Sequence, residues 1–284
     1  MNQLIAIYGW TIAASVLLAA GLALLGCQLA ARDRAMQTLC MGQGAMLGVL
    51  LGLGIGQTLM HDGPLASTLP LIIALLSAAL TFVSSELLVA RRMASSNTHF
   101  ASLFALLLAG GYLVSALFPA LENHMAQKYF GDLATISSLE SYLGIAVGII
   151  LISVMAAFGR SFTKESFEKS IVGNPSKKSG WRLFSFFDVL CLIVLCFCVQ
   201  TVGYLFTIAC LFIPTAVASR TLPAGLTRHL SFCALVAALA SGIGFLLSLH
   251  SNILPTVPTI IASMLVLSLL AALLMGKGRA LPGR

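Results

Sequence analysis

The chain has 284 residues, 59% of them hydrophobic and only 9% charged, with a mean hydropathy of +1.01 and a formal net charge of +7. Soluble domains carry about 25% charged residues. The composition therefore excludes an ordinary water-soluble domain and points to an all-α, polytopic membrane helix bundle in a lipid bilayer.

The first apolar run covers about 5–30 and has no basic stretch ahead of it, so it reads as a retained span and not as a cleaved leader. Further runs lie near 36–59, 68–90, 98–118, 139–159, 225–248 and 255–275. Each is long enough, at ~1.5 Å per helical residue, to cross ~30 Å of hydrocarbon. The stretch 183–219 is too long for one crossing and is broken by Gln200-Thr201-Val202-Gly203, which predicts two short helices joined by a tight turn. The expectation is about nine spans, or eight if 183–219 crosses once, forming one transmembrane domain over 1–284 with a cytosolic loop at 160–182.

Charge tests that count. With the amino terminus outside and the carboxyl terminus in the cytosol, the inside segments collect Arg32, Arg34, Arg91, Arg92, Arg160, Lys164, Lys169, Lys177, Lys178, Arg182, Arg220, Arg228, Lys277, Arg279 and Arg284. Of the 16 Lys and Arg, only Lys128 remains outside. This is the bias the positive-inside rule requires. Merging the two helices of 183–219 would move Arg220 and Arg228 to the wrong side. The positive charge thus reflects topology and gives no reason to expect a nucleic-acid partner.

The stretch GQGAMLGVLLGLGIGQ (42–57) raises the question of a phosphate-binding loop. Gly44, Gly48, Gly52 and Gly56 recur every four residues, which on a helix makes one smooth stripe. A nucleotide loop needs its glycines between a strand and a helix, and no strand pattern is present. A stripe without side chains lets a neighbouring helix approach closely in lipid. Gly144 and Gly148 repeat the spacing in the fifth span.

Other chemistry is sparse. GNPSKKS (173–179) has the outline of a Walker A loop, but Lys178 stands where the second glycine belongs and Ser179 where the lysine belongs. No ATPase is encoded, nor is a zinc-protease or nucleophile-elbow signature present. The seven cysteines lie in or beside apolar runs without a CxxC pair, and read as small buried packing residues and not as a disulfide or metal framework. Glu86 and Asp188, the acids within spans, are each about two turns from arginines (Arg91 and Arg92, and Arg182) and read as shallow structural charges.

Four stretches carry a resemblance. They are ARDRAMQTLCMGQGAMLGVLLG (31–52), KYFGDLATIS (128–137), VGYLFTIACLFIPTAVASR (202–220) and SNILPTVP (251–258) between the last two spans. In this order they resemble the permease subunits of bacterial ATP-binding-cassette importers for zinc and manganese. The resemblance implies a pathway formed by two permease copies in the bacterial inner membrane. It also implies an extracytoplasmic metal-binding protein outside and cytosolic ATPase subunits inside, with ATP bound by those partners and no cofactor held by this chain. Within the family, a short cytosolic helix couples the spans to the ATPase. The corresponding residues here are 167–173, with Phe167, Ser170 at the small position, and Gly173.

One departure matters. The family's second span carries Asp and, four residues later, His, whose one-turn spacing lets both ligate one borderline metal. Those positions here hold Leu39 and Gln43, and the family's aspartate in the last loop aligns with Asn252. Leucine cannot ligate, and an amide oxygen is a weak zinc ligand. Cys40 and Gln43, three apart with Met36 nearby, offer a soft alternative; Gln43 is the leading pathway residue. On the outer side, His61, Asp62, Glu122, His124, Asp132, Glu140 and His250 either draw cations electrostatically or simply tolerate the outside better than lysines do. The departure leaves two other readings open: a permease for another small or chelated solute, and an ATP-independent carrier or scaffold.

Overall fold

The computed structural model describes residues 2–59, 64–90, 96–131, 133–172, 185–221, 225–251 and 253–276. Among them the secondary structure is entirely helical. The α-helices are α1 (Asn2–Ala31), α2 (Ala35–Leu59), α3 (Pro64–Ala90), α4 (Ser96–Leu117), α5 (Glu122–Phe130), α6 (Ser138–Val172), α7 (Phe186–Thr201), α8 (Tyr204–Thr221), α9 (Leu226–His250) and α10 (Thr256–Gly276). Single 3-10 turns at Pro119–Leu121 and Leu133–Thr135 flank α5. Seven of the helices are long and apolar enough to cross a membrane, and α7 and α8 are shorter apolar helices. Their outward faces are apolar: Ile72, Leu76, Leu80 and Leu87 form an exposed stripe on α3, and Leu80 keeps 71% of its surface open. Such a face suits hydrocarbon and not water.

The break expected near Gln200 is present. α7 ends at Thr201, and Val202 and Gly203 turn the chain into α8. Two features were not foreseen. α5 is a nine-residue helix too short and too polar to stand out from hydropathy. α6 does not stop near 159 but runs unbroken for 35 residues, a rod of about 52 Å.

The chain divides into two compact units. The first comprises 1–30, 132–159 and 209–284. In it Gly148 of α6 meets Leu17 of α1, and Gly244 of α9 lies against Ile260 of α10, where an added Cβ would come within 2.5 Å of the Ile260 Cα. Ser263 of α10 donates to the Ala240 carbonyl at 2.8 Å, tying the last two long helices together. Gly144 meets Ala14 and Leu18, so the second small-residue repeat serves the α1–α6 contact.

The second unit comprises 31–131 and 160–208. Here the glycine stripe is the α2–α3 interface. A Cβ on Gly48 would lie 2.5 Å from the Ala74 Cα, and one on Gly52 2.5 Å from the Pro70 Cα. Gly44 meets Thr81 in the same row. The stripe therefore brings two backbones into contact, as small-residue spacing in lipid predicts.

Candidate functional site

The site is built in the second unit around Tyr204, the first residue of α8. Three of the four family-like stretches meet there. From α2, Gly42 lies under the ring, where a Cβ would sit 2.7 Å from the ring edge. The Tyr204 hydroxyl donates to the Leu39 carbonyl at 3.4 Å, and the Gln43 side chain lies beside that hydroxyl. From the segment after α5, Gly131 contacts Gly203 backbone to backbone, and the Tyr129 and Tyr204 rings are 5.5 Å apart. Lys128 donates to the Gln200 carbonyl at 2.6 Å, closing the end of α7.

This meeting depends on two glycines with positive φ, Gly131 at 80° and Gly203 at 96°. Side chains are disfavoured in that region. At Gly203 a Cβ would also come within 2.5 Å of the Gly131 Cα. The turn can therefore be tight only because neither residue has a side chain, and the tight turn places Tyr204 over α2.

Gln43 is almost completely enclosed, 2% exposed, and its Nε2 is buried without a hydrogen-bond partner. An orphaned buried amide is costly, about 1–3 kcal/mol. The Tyr204 hydroxyl can donate to an amide oxygen or accept from an amide nitrogen. With its proton on the Leu39 carbonyl, that hydroxyl is free to accept from the amide nitrogen, and an amide turned to make that bond presents Oε1 in the orphan position as a neutral oxygen donor for a cation.

The other anticipated residues fall as follows. Cys40 is buried, but its thiol donates to the Phe100 carbonyl of α4 at 3.1 Å. The Cys40 thiol is thus engaged by α4. Leu39 contributes its carbonyl, not its side chain. Met36 is partly exposed. His250 is exposed in the last turn of α9 in the first unit. Asp132 and Asn252 lie outside the described residues, as do His61, Asp62 and Gly173. Phe167 and Ser170 belong to the final turns of α6.

The turn before α2 and the first turn of that helix hold a network of charges, only two residues before Leu39. The turn between α1 and α2 contains Arg32, Asp33 and Arg34, with Asp33 at φ 54°. Arg34 donates to Asp188 of α7 at 2.7 Å and lies 3.4 Å from Glu86 of α3. Gln37 donates to Ser85 and to Glu86, both at 2.9 Å. Arg32 donates to the Phe162 carbonyl and to Glu165 of α6, and stacks 4.0 Å above the Phe187 ring. Burial lowers the Arg32 pKa from its ordinary value, and the Glu165 and Asp188 carboxylates oppose that shift. Asp188 also accepts from the Ser185 backbone N–H at 3.1 Å, so it caps α7 as well as pairing with Arg34. The span acids therefore have a structural task, as the sequence suggested. Their partner is Arg34, whereas Arg91, Arg92 and Arg182 lie outside the described residues.

Long apolar helices and a backbone-to-backbone α2–α3 contact define a multi-pass membrane helix bundle. The chain belongs to the ABC 3 transport family, whose model matches residues 5–275. It is thus a permease of the ATP-binding-cassette kind and not itself an ATPase. Among solved structures it is similar to PsaBC from Streptococcus pneumoniae in complex with Fab, with a TM-score of 0.69 and 18% identity, covering 92% of this chain and 89% of that one. It is also similar to a putative metal-chelate type ABC transporter in an inward-facing conformation, with a TM-score of 0.64 and 16% identity, covering 97% of this chain and 89% of that one. No curated protein matches the chain.

Proposed function

We propose that this chain is the permease of an ATP-driven importer for a divalent metal ion, zinc or manganese, in a bacterial inner membrane. Two copies form the pathway. Separate cytosolic ATPases bind ATP, and an extracytoplasmic metal-binding protein delivers the ion. All nine apolar helices cross, with the amino terminus outside. The observation that carries the reading is the buried, unpartnered amide of Gln43 on α2, beneath Tyr204. An amide oxygen holds a cation weakly, and conduction needs binding weak enough to release. An oxygen donor also suits manganese better than zinc.

Coupling to the ATPases falls to the end of α6. The unbroken helix carries Phe167 and Ser170 beyond the apolar part of the span. Force on that end, with Gly173 just past it, tilts the whole rod as a rigid body.

The test is uptake by proteoliposomes containing the permease and its ATPase, supplied with free zinc, manganese or iron. The Gln43→Leu protein should insert normally and import several-fold less. Unchanged import removes Gln43 from the pathway. A second reading, a permease for a chelated metal, is favoured by Leu39 and Gln43 in place of two ligating side chains, and by the likeness to a metal-chelate type transporter. Import of a metal–chelate complex without import of any free ion would select it.

A further inference from the structure

Two cysteines and a histidine that no local motif connects come together in the first unit. Cys27 lies on α1, and His229 and Cys233 lie one turn apart on α9; their three donor atoms are all within 4.8 Å of one another. Both cysteines are buried and His229 is partly exposed. The packing explains the meeting. Gly26 has no side chain and rests against the Leu211 carbonyl of α8. The next residue, Cys27, then comes within 3.6 Å of the Thr215 hydroxyl, one turn along α8. Thr215 already donates to Leu211 at 3.0 Å, so in this arrangement the Cys27 thiol is the donor in their contact.

We propose that Cys27, His229 and Cys233 form a binding site for a borderline divalent metal of the zinc type. Zinc–sulfur bonds of about 2.3 Å and zinc–nitrogen bonds of about 2.0 Å imply donor separations of roughly 3.5–3.8 Å in a tetrahedron. The cluster is close to that size and needs only slight contraction. Two thiols and an imidazole without a carboxylate are the donor set of zinc, and not of magnesium, calcium or manganese. On binding, the two thiols each release a proton to water and neutral His229 gives its lone pair. Two thiolates then balance the two positive charges of the ion, so the filled site is neutral and compatible with burial. Once Cys27 is a thiolate, the Thr215 hydroxyl can rotate to donate to it, which supplies the outer hydrogen bond such ligands usually have. The fourth position is left for water. His229 is itself partly exposed, and an open depression lined by Gly225, Leu226, Thr227, Arg228 and Ser231 borders the same first turn of α9.

The orientation argued from Arg32, Arg34 and Arg228 puts this site at the cytosolic end of its helices. Thiolate ligation is too strong for an ion in transit. The ion is therefore a resident that fastens α1 to α9 when internal metal is available. Nothing in this depends on the importer's cargo.

The test is metal content. The full chain, purified with its ATPase under reducing conditions, is incubated with zinc alone and freed of excess. About one tightly held zinc per chain is expected, with about a tenth of that or less in Cys27→Ser, Cys233→Ser and His229→Ala, and full content in Cys198→Ser. Replacing zinc with cobalt in the unaltered protein should give thiolate-to-cobalt charge-transfer absorption, so the result does not rest on variants that misfold. The proposal is overturned if the unaltered protein retains no zinc, if the cobalt spectrum lacks thiolate bands, if the three substitutions leave zinc content unchanged, or if trapping with an alkylating reagent in cells finds Cys27 and Cys233 joined as a disulfide.

Discussion

Arg34 and Asp188 stand 154 positions apart in sequence, yet their side chains meet at 2.7 Å, and the same guanidinium reaches Glu86 at 3.4 Å. One turn residue therefore holds the ends of α3 and α7. Asp188 is the more enclosed partner, with 7% of its side chain exposed against 27% for Arg34. Breaking a buried pair from one side leaves a charge without compensation. Arg34→Gln is expected to destabilise the protein by about 3 kcal/mol, measured by denaturant unfolding in detergent micelles. Adding Asp188→Asn should recover part of the loss; a purely additive double variant would show that the pair is not coupled.

The α2–α3 contact makes a steric prediction. Gly48→Leu forces a side chain into the Ala74 backbone, which should cost about 1–3 kcal/mol or more. Gly159→Ala, whose Cβ would have nothing nearer than Gln28 at 3.8 Å, should be neutral or slightly stabilising because alanine is the better helix former. Parallel unfolding of the two variants separates packing from helix propensity.

At the turn before α8, Gly203→Ala combines a positive φ with contact on Gly131. About 1–2 kcal/mol is expected from the backbone alone. The larger consequence is displacement of Tyr204, so ATP-driven uptake should fall further than stability does. Equal losses in both would mean that the turn serves folding only.

Tyr204→Phe keeps the ring and removes the hydroxyl from the Leu39 carbonyl and the Gln43 amide. A loss of about 1 kcal/mol of local hydrogen bonding is expected, with a several-fold drop in transport and normal insertion. Rates equal to those of the unaltered protein would remove the hydroxyl from the pathway.

Much of this molecule can be read directly from its residues. Apolar runs and glycine spacing locate the long helices and the α2–α3 seam, because in lipid a span must be apolar and a close contact must be small. Gln200-Thr201-Val202-Gly203 marks the break between α7 and α8 for the same reason. α5 escapes because nine residues of mixed and mostly polar character give no hydropathy signal, and the length of α6 escapes because its charged continuation looks like a loop. Gln43 is visible only by alignment with a family's ligands; its enclosure depends on Tyr204, some 160 positions later. The Cys27, His229 and Cys233 cluster is least legible. Its donors come from opposite ends of the chain, and short-range spacing rules see only the one-turn His229–Cys233 pair.

The turn at Val202–Gly203 has a consequence for the energetics of crossing. α7 has 16 residues, about 24 Å of rod against about 30 Å of hydrocarbon. In the nine-span orientation proposed above, a helix this short leaves that turn and its polar backbone below the outer lipid boundary unless the bilayer thins to meet them. For the ion cargo proposed above, this means a thinner insulating layer to cross, with its dehydration confined to a short stretch beside Tyr204.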